Sequence, residues 1–598
     1  VSVNAPPERQ RAFHFTASNC IGCHSCEAAC SEKNGLPPHI AWRKVGYVET
    51  GTFPDYRRVH ISMACNHCDD PVCLKGCPTR AYVKYADTGA VIQDPDVCFG
   101  CQYCTWVCPY GAPAYDPQAG TVSKCNMCVD RLAVGLQPAC VAACLGHALD
   151  FDARDALPDR FGEALPMFPG FPDPAITRPN VRFRFDGDHG PAYTRPDDMN
   201  LGYAPPAAGA APVRPQAARG GGRRPAPKPL RWGTLQSSES PLVAFTLIAQ
   251  GVVGAFAAFL GMASGAASGA DAGTASGALH GIGPGFLAAL CALLAYGLFT
   301  STMHLGRPRY FYRAMNNLRH SWVSREILCL GSFMGLLTAY TAAFSLDLLP
   351  PLPLAVLGGA AAVCGVLGVV SMVRIYRIPA RPYWNHPHTD AAFAATALTL
   401  GPLALGAVLA ARDLLAGTAS GAPFSALVGT ALAAALAGRV SAWRHGAWLA
   451  RRGGEAEAAL DLLAHEYARF RAARRVAAAL LIGLLAAALV VPAPGARGAL
   501  LLAALPVALA GEALERFLFY LVVIPTTMPG ALFLKNRGFE RLARETGLAE
   551  DRAVGVAPDV HGPGQGPPPL VPITRLPPPA PAPEPAPEPE PAALAVRR

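Results

Sequence analysis

The sequence predicts a multi-domain protein: a loop-rich α+β domain first, then an all-α bundle of eight membrane-spanning helices. Three observations carry this. Sixteen of the 19 cysteines fall between Cys20 and Cys144. From about Pro241 the chain runs through eight apolar stretches, each close to the ~20 residues a spanning helix needs. Between the two lies a segment of Pro, Ala, Gly and Arg, GYAPPAAGAAPVRPQAARGGGRRPAPKPLRW, which reads as a semi-extended linker. A chain of 598 residues is also too long for one ordinary core. The expected divisions are 1–185 for the cysteine-rich domain, 186–236 for the linker, 237–550 for the membrane part and 551–598 for a Pro-rich tail to which no fold is assigned.

The sixteen cysteines form four groups. Cys20, Cys23, Cys26 and Cys30 stand in CIGCHSCEAAC, and Cys65, Cys68, Cys73 and Cys77 in CNHCDDPVCLKGCP. Cys98, Cys101, Cys104 and Cys108 stand in CFGCQYCTWVCP, and Cys125, Cys128, Cys140 and Cys144 are split by a longer insertion. Thiolates at i, i+3 and i+6 can wrap one small inorganic cube while the fourth serves a neighbouring cube, and a Pro follows Cys77 and Cys108 as in two-cluster bacterial ferredoxins. Zinc sites separate their C-x2-C pairs by a dozen residues or more, and cysteines spaced by threes make no sensible disulfide framework.

Sixteen thiolates at four per cube predict four [4Fe–4S] clusters, hence a ferredoxin-like α+β domain of the polyferredoxin kind. In such a fold a triple is completed by the last Cys of its partner group. The expected sets are Cys65, Cys68, Cys73 with Cys108, and Cys98, Cys101, Cys104 with Cys77. The remaining sets are Cys20, Cys23, Cys26 with Cys144, and Cys125, Cys128, Cys140 with Cys30. Cys291, Cys329 and Cys364 lie alone in apolar runs and read as small buried hydrophobes. There is no G-x-G-x-x-G after a strand, no Walker A and no nucleophile constellation, so the four clusters predict a wire rather than a substrate pocket.

The four groups, followed by FPGFPDPAITRPNVRFRF, resemble the iron–sulfur subunit of dimethyl sulfoxide reductase-type molybdoenzymes. In the nitrate reductase relatives one position of the third group is Trp and the cluster is [3Fe–4S]; here all four are Cys. The apolar half carries MHLGRPRYFYRAMNNLRHSWVSREIL, RIYRIPARPYWN and GEALERFLFY, which resemble the eight-helix anchor of the same enzymes, here fused through the linker. The resemblance implies a separate molybdopterin catalytic subunit, exchange with a quinone or menaquinone pool, and a quinol site at His304 of HLG and Glu326 of SREI. A histidine and a carboxylate suit the two protons that quinol oxidation releases. The competing readings are a snorkelling interfacial histidine and a Glu326 tied to Arg325. Glu512 and Arg516, at i and i+4 in the last run, are a second intramembrane candidate pair, or a helix–helix tie.

The expected spans are 241–263, 285–306, 323–346, 352–376, 390–415, 424–443, 475–493 and 498–524. Only His304 falls within one; His280, His320, His386, His388, His445 and His465 fall in expected loops, and there is no C-x-x-C-H, so no haem is expected. The loops 307–322, 374–389 and 439–475 hold fifteen Arg, against Arg412 and Arg497 on the other side. By the positive-inside rule this places the cysteine domain and both termini in the cytoplasm, at a bacterial inner membrane. That face departs from the best-known dimethyl sulfoxide reductase and resembles membrane-bound sulfite dehydrogenases. The first residues, VSVNAPPERQRAF, contain no apolar h-region or twin-Arg element and no opening Met, which leaves the true start open. The net charge of +9 comes with no basic run interleaved with aromatics, so no nucleic-acid partner is expected. The rival functions are a stand-alone membrane-docked polyferredoxin without molybdenum, and a subunit of an ion-translocating redox complex.

Overall fold

A computed structural model of the protein describes residues 10–50, 57–156, 172–184, 193–194, 200–201, 227–235, 237, 239–266, 272–417, 424–452 and 454–523. Most of the expected linker, the expected tail and residues 168–171 of the quoted family motif lie outside them.

The cysteine domain is built from short elements because its backbone is repeatedly turned back by ligand loops. Strand β1 (Arg11–Thr16) is central: β8 (Leu149–Ala153) pairs with it antiparallel and β9 (Val181–Arg184) parallel. Its Ala12, Phe13, His14 and Phe15 are all buried, so both faces are covered, and the register sets Phe13 opposite Phe151 and Phe15 opposite Phe183. Strands β2 (Lys44–Thr50) and β3 (Arg57–Met63) form a separate antiparallel ladder. Then one unit occurs twice. Cys65 opens a loop, the five-residue helix Val72–Gly76 and the hairpin of β4 (Tyr82–Lys84) with β5 (Val91–Gln93). Cys98 opens a loop, the helix Tyr103–Val107 and the hairpin of β6 (Ala114–Asp116) with β7 (Thr121–Ser123). This is a ferredoxin-like arrangement, and ten of its cysteines are themselves buried.

Among the described residues eight helices are long and apolar enough to cross a membrane: Ser240–Ser264, Leu279–Met303, Trp322–Ser345, Pro351–Tyr376, Pro387–Ala416, Phe424–Arg452, Ala468–Val490 and Pro494–Leu521, here spans 1 to 8. Spans 1 and 5 are the centre of the bundle, 67% buried over their apolar windows against 17–39% for the other six. They cross backbone to backbone: a Cβ added at Gly254 would stand 2.0 Å from the Ala397 carbonyl oxygen, and one at Gly401 would stand 2.1 Å from Gly254. Without a hydrophobic drive between helices in lipid, such close approach by small residues is what holds them.

The two halves share a buried surface. Tyr103 and Val107, from the helix after Cys101, belong to the same core as Tyr376, Trp384 and Phe519 of the bundle. The Tyr103 hydroxyl donates to the Ile375 carbonyl at 3.2 Å, and Trp106 packs edge-on against Trp384 at 5.5 Å. The loop after span 2 lies against the ligand loops through three glycines. A Cβ on Gly306 would meet the Gly120 carbonyl oxygen at 2.2 Å, and one on Gly100 would meet it at 2.3 Å, so only glycine fits there.

Candidate functional site

The first C-x2-C loop of each group makes the same turn. The residue two after the first Cys has a positive φ in all four: Gly22 at 69°, His67 at 44°, Gly100 at 77° and Met127 at 62°. Two of these are not glycine, a strained choice that the local structure must hold. The turn aims backbone N–H groups at sulfur. His67 N–H donates to Cys65 Sγ at 3.5 Å and Met127 N–H to Cys125 Sγ at 3.4 Å. Elsewhere Ala81 N–H donates to Cys77 Sγ and Leu149 N–H to Cys144 Sγ, both at 3.3 Å. Donors aimed at a sulfur stabilise its anionic form, as a cluster ligand requires.

The thiols gather in four sets, each with three members from one group and one from another. Cys20 is surrounded by Cys23, Cys26 and Cys144, and Cys68 by Cys65, Cys73 and Cys108. Cys101 and Cys104 face Cys77 and Cys98, while Cys30 faces Cys140 and Cys128, with Cys125 beside Cys30 and Cys140. The donor sets fit polynuclear clusters. Cys65, Cys68, Cys73 and Cys108 wall one cavity of about 350 Å³, and Cys20, Cys23, Cys26 and Cys144 wall another of about 350 Å³. The other walls are mainly apolar, including Pro71, Val72 and Tyr110 in the first and Phe15, Ile21 and Val45 in the second. Among the described residues no three His, Cys, Asp or Glu side chains converge on a single-ion site, so the thiols ring a volume instead of a point. Burial pushes Cys30 and Cys108 up to about 11, so as free thiols they hold their protons, and metal binding must displace them.

The sets form a row whose order differs from the sequence. The first set meets the fourth around Arg43, whose electrostatic neighbours are Cys26 of the first and Cys140, Cys125 and Cys30 of the fourth. The fourth meets the second at Cys125 and Cys65. Tyr82 joins the second and third, with Cys73 of the second and Cys104 and Cys77 of the third as its electrostatic neighbours. The third set reaches the bundle. Loop 305–321 grips its carbonyls: Arg307 N–H donates to Phe99 O at 3.0 Å, Arg313 to Asp96 O at 2.6 Å, Asn317 to Cys77 O at 2.8 Å and Ser321 to Gly76 O at 2.9 Å. Arg381 adds a bond to Trp106 O at 3.2 Å. Basic residues read from sequence as topology signals thus also bind the cysteine domain.

His304 follows the end of span 2, which closes at Met303, so it is not inside the span as expected. Its Nδ1 donates to the Ser301 carbonyl, leaving Nε2 as the proton-accepting nitrogen. Glu326 is buried one turn into span 3, whose N-terminus is capped by Ser321. Its electrostatic neighbours are Tyr103, Tyr376 and Tyr520, and Tyr103 lies between Cys101 and Cys104 in sequence. Arg325 turns away: it donates to the carbonyls of Leu318 and Arg319 and stacks on Trp322. His304 and Glu326 stand at the same end of the bundle, with no hydrogen bond or ion pair between them among the described residues.

Glu512 and Arg516 meet through Thr396 instead of as an ion pair. Thr396 Oγ1 donates to Glu512 at 2.6 Å, and Arg516 reaches Thr396 at 3.4 Å and Gln250 at 2.9 Å. Glu515, not singled out from sequence, is the carboxylate that ties spans 6, 7 and 8, with Arg439 at 3.1 Å and Arg474 at 2.6 Å. Glu512, Glu515, Arg439, Arg474 and His388 line a cavity of about 540 Å³ whose other walls are small and aliphatic. The expectation that all histidines other than His304 lie in loops is corrected: helices take up His280, His388 and His445. The Pro387 N1 position starts span 5 early, and span 6 continues as helix to Arg452 with its long basic side chains carrying charge outward. The His388 and His445 rings stand 4.8 Å apart.

Two families match the sequence: a 4Fe-4S dicluster domain over residues 57–154 and the DMSO reductase anchor subunit (DmsC) over residues 235–522. One chain of the anaerobic dimethyl sulfoxide reductase of Escherichia coli (strain K12) is 37% identical over 202 residues, 32% of this protein and 95% of that one. One subunit of the sulfite dehydrogenase of Allochromatium vinosum is 38% identical over 168 residues, 24% of this protein and 70% of that one. Protein NrfC of Escherichia coli (strain K12) is 40% identical over 140 residues, 23% of this protein and 63% of that one.

Proposed function

The protein belongs to the family of the dimethyl sulfoxide reductase iron–sulfur subunits, here fused to a membrane anchor, and on that premise we propose that it carries electrons between a membrane quinone pool and a separate molybdopterin catalytic subunit. The observation that supports this most is the third cysteine set, whose helix Tyr103–Val107 is packed into the core of the bundle. In this reading the sixteen cysteines hold four [4Fe–4S] clusters, which supply one-electron transfer when bound. Tyr103 and Trp106 join the third set to the bundle. His304 and Glu326 take the protons that leave the quinol. The first set, at the far end of the row, faces the catalytic partner, whose reaction is of the dimethyl sulfoxide reductase or sulfite dehydrogenase type.

Purification through a tag on this protein, from membranes solubilised in mild detergent, is expected to bring down a large polypeptide that contains molybdenum. Recovery of the fused protein alone, still able to take electrons from quinol, would instead favour the stand-alone polyferredoxin.

The same reading sets the protein in a bacterial inner membrane with the cysteine domain in the cytoplasm. The support is the Arg bias, fifteen against two across the loops the sequence assigns to each side. A reporter active only in the cytoplasm, fused after residue 598, is expected to be active. Activity solely from a periplasmic reporter at that position would reverse the orientation and make the substrate an exported one.

A further inference from the structure

Two basic side chains stand inside the row of cysteine sets, where no sequence pattern calls for them. Arg43 is 2% exposed and Lys124 is 3% exposed. Lysine and arginine are almost never fully buried unless paired. Neither has a carboxylate partner among the described residues; their electrostatic neighbours are thiols. Lys124 donates to the carbonyls of Val91 and Cys125, the latter at 3.1 Å, and has Cys65, Cys73 and Cys125 around its ammonium. It lines the cavity of the second set and stands where that set meets the fourth. Arg43 donates to Ser62 Oγ at 3.1 Å, and Ser62 Oγ lies 3.3 Å from Cys26 Sγ in the first set. Its other neighbours are Cys140, Cys125 and Cys30 of the fourth. Two of the three junctions in the row, first to fourth and fourth to second, therefore each hold one cation.

A buried cation with no carboxylate needs another anion, since an uncompensated charge in such a place costs several kcal/mol. Four thiolates around an iron–sulfur cube are the anion these positions offer. Negative charge on the cube increases when it accepts an electron, so a fixed cation beside it favours the reduced form. Net charge near a cluster is one of the levers that set its potential. A cation between two cubes also offsets their mutual repulsion when both are reduced. Charge interactions at these burial levels are little screened by salt.

We propose that Arg43 and Lys124 are positioning charges that raise the reduction potentials of the cysteine sets they separate: Lys124 for the second and fourth, Arg43 for the first and fourth. The inference rests on the reading of the sixteen cysteines as ligands of four clusters. Between the second and third sets stands Tyr82, with Lys124 6.0 Å from its ring; the arginines beside the third set, Arg307, Arg313 and Arg381, donate to the carbonyls of Pro95, Asp96 and Trp106.

The test is a potentiometric EPR titration of the full-length protein, purified with its partners, as Lys124→Met and separately as Arg43→Met. Methionine keeps the apolar length and removes the charge. In each variant two of the four titrating signals are expected to move down by at least tenfold in reduction equilibrium, about 59 mV for a one-electron couple. One of those signals, that of the fourth set, should move in both variants. Lys124→Arg, which keeps the charge, should leave its signals close to those of the unaltered protein. Unchanged potentials at full iron content would overturn the inference while leaving the cluster reading intact. Loss of iron from both Met variants would also overturn it, making the two cations assembly elements; if one variant loses iron, the other decides. Protein that holds no iron–sulfur signal before any substitution would instead sink the cluster reading itself.

Discussion

Glu326→Gln lowers quinol-linked electron transfer by about 10²–10⁴-fold, the usual loss when a general base that limits the rate is removed. The reason is position. Glu326 is 8% exposed, sits one turn into span 3 and has no basic partner among the described residues. Its neighbour in sequence, Arg325, is occupied by the carbonyls of Leu318 and Arg319, so the carboxylate is not there to balance that charge. Tyr103 lies between it and the third cysteine set. On the proposed reading, a carboxylate that shares Tyr103 with the third set is where a quinol loses both particles together. Glutamine keeps the size and a hydrogen bond but cannot take a proton, so EPR signals, iron content and turnover with an artificial donor should all persist. His304→Ala is expected to act in the same direction, because Nε2 is its one remaining acceptor nitrogen once Nδ1 is held by Ser301. Unaltered quinol turnover in both variants would move the site, with Glu512 and Arg516 next in line. Loss of the clusters would make the two residues structural.

What the sequence discloses and what it hides follow from the range of the interactions involved. Ligand triples at i, i+3 and i+6 are local, so the grouping of the cysteines is visible as spacing. The eight spans are visible for the same reason, since each is a single uninterrupted apolar run. Their ends are less so. Hydropathy places spans 6 and 7 at 424–443 and 475–493, whereas the helices run Phe424–Arg452 and Ala468–Val490. Arginines that look like loop residues by hydropathy remain helical, and two of them, Arg439 and Arg474, are drawn inward by Glu515. Nothing in GEALERFLFY separates Glu515 from Glu512; only the partners on two other spans do. Arg43, Lys124 and Tyr82 are hidden for the same reason, because each stands between cysteines far apart in the sequence. The left-handed turns at His67 and Met127 are likewise silent, since the residues that usually report such a turn, Gly22 and Gly100, occupy only two of the four loops.

The docking of the two halves belongs between these extremes. The glycines at 100, 120 and 306 are plain in the sequence, but their mutual contact is not. The same is true of the aromatic group formed by Trp106, Tyr376, Trp384 and Phe519, which comes from three separate segments. Fusion makes this contact intramolecular, so the wire and the bundle meet without depending on protein concentration.

The central claim is that the sixteen gathered thiols hold four cubane clusters, and metal analysis of the purified full-length protein, prepared without air, tests it most directly. The sets draw on all sixteen cysteines, and two of them wall cavities of about 350 Å³ large enough to ring a volume instead of a single ion. Four irons and four sulfides per set give about sixteen iron and about sixteen acid-labile sulfide per polypeptide. Bound zinc would count against the claim in proportion to the thiols it occupies. About sixteen iron with matching sulfide and little zinc is the expected result; stoichiometric zinc with little iron, or about eight iron with half the thiols free to alkylate, would contradict it.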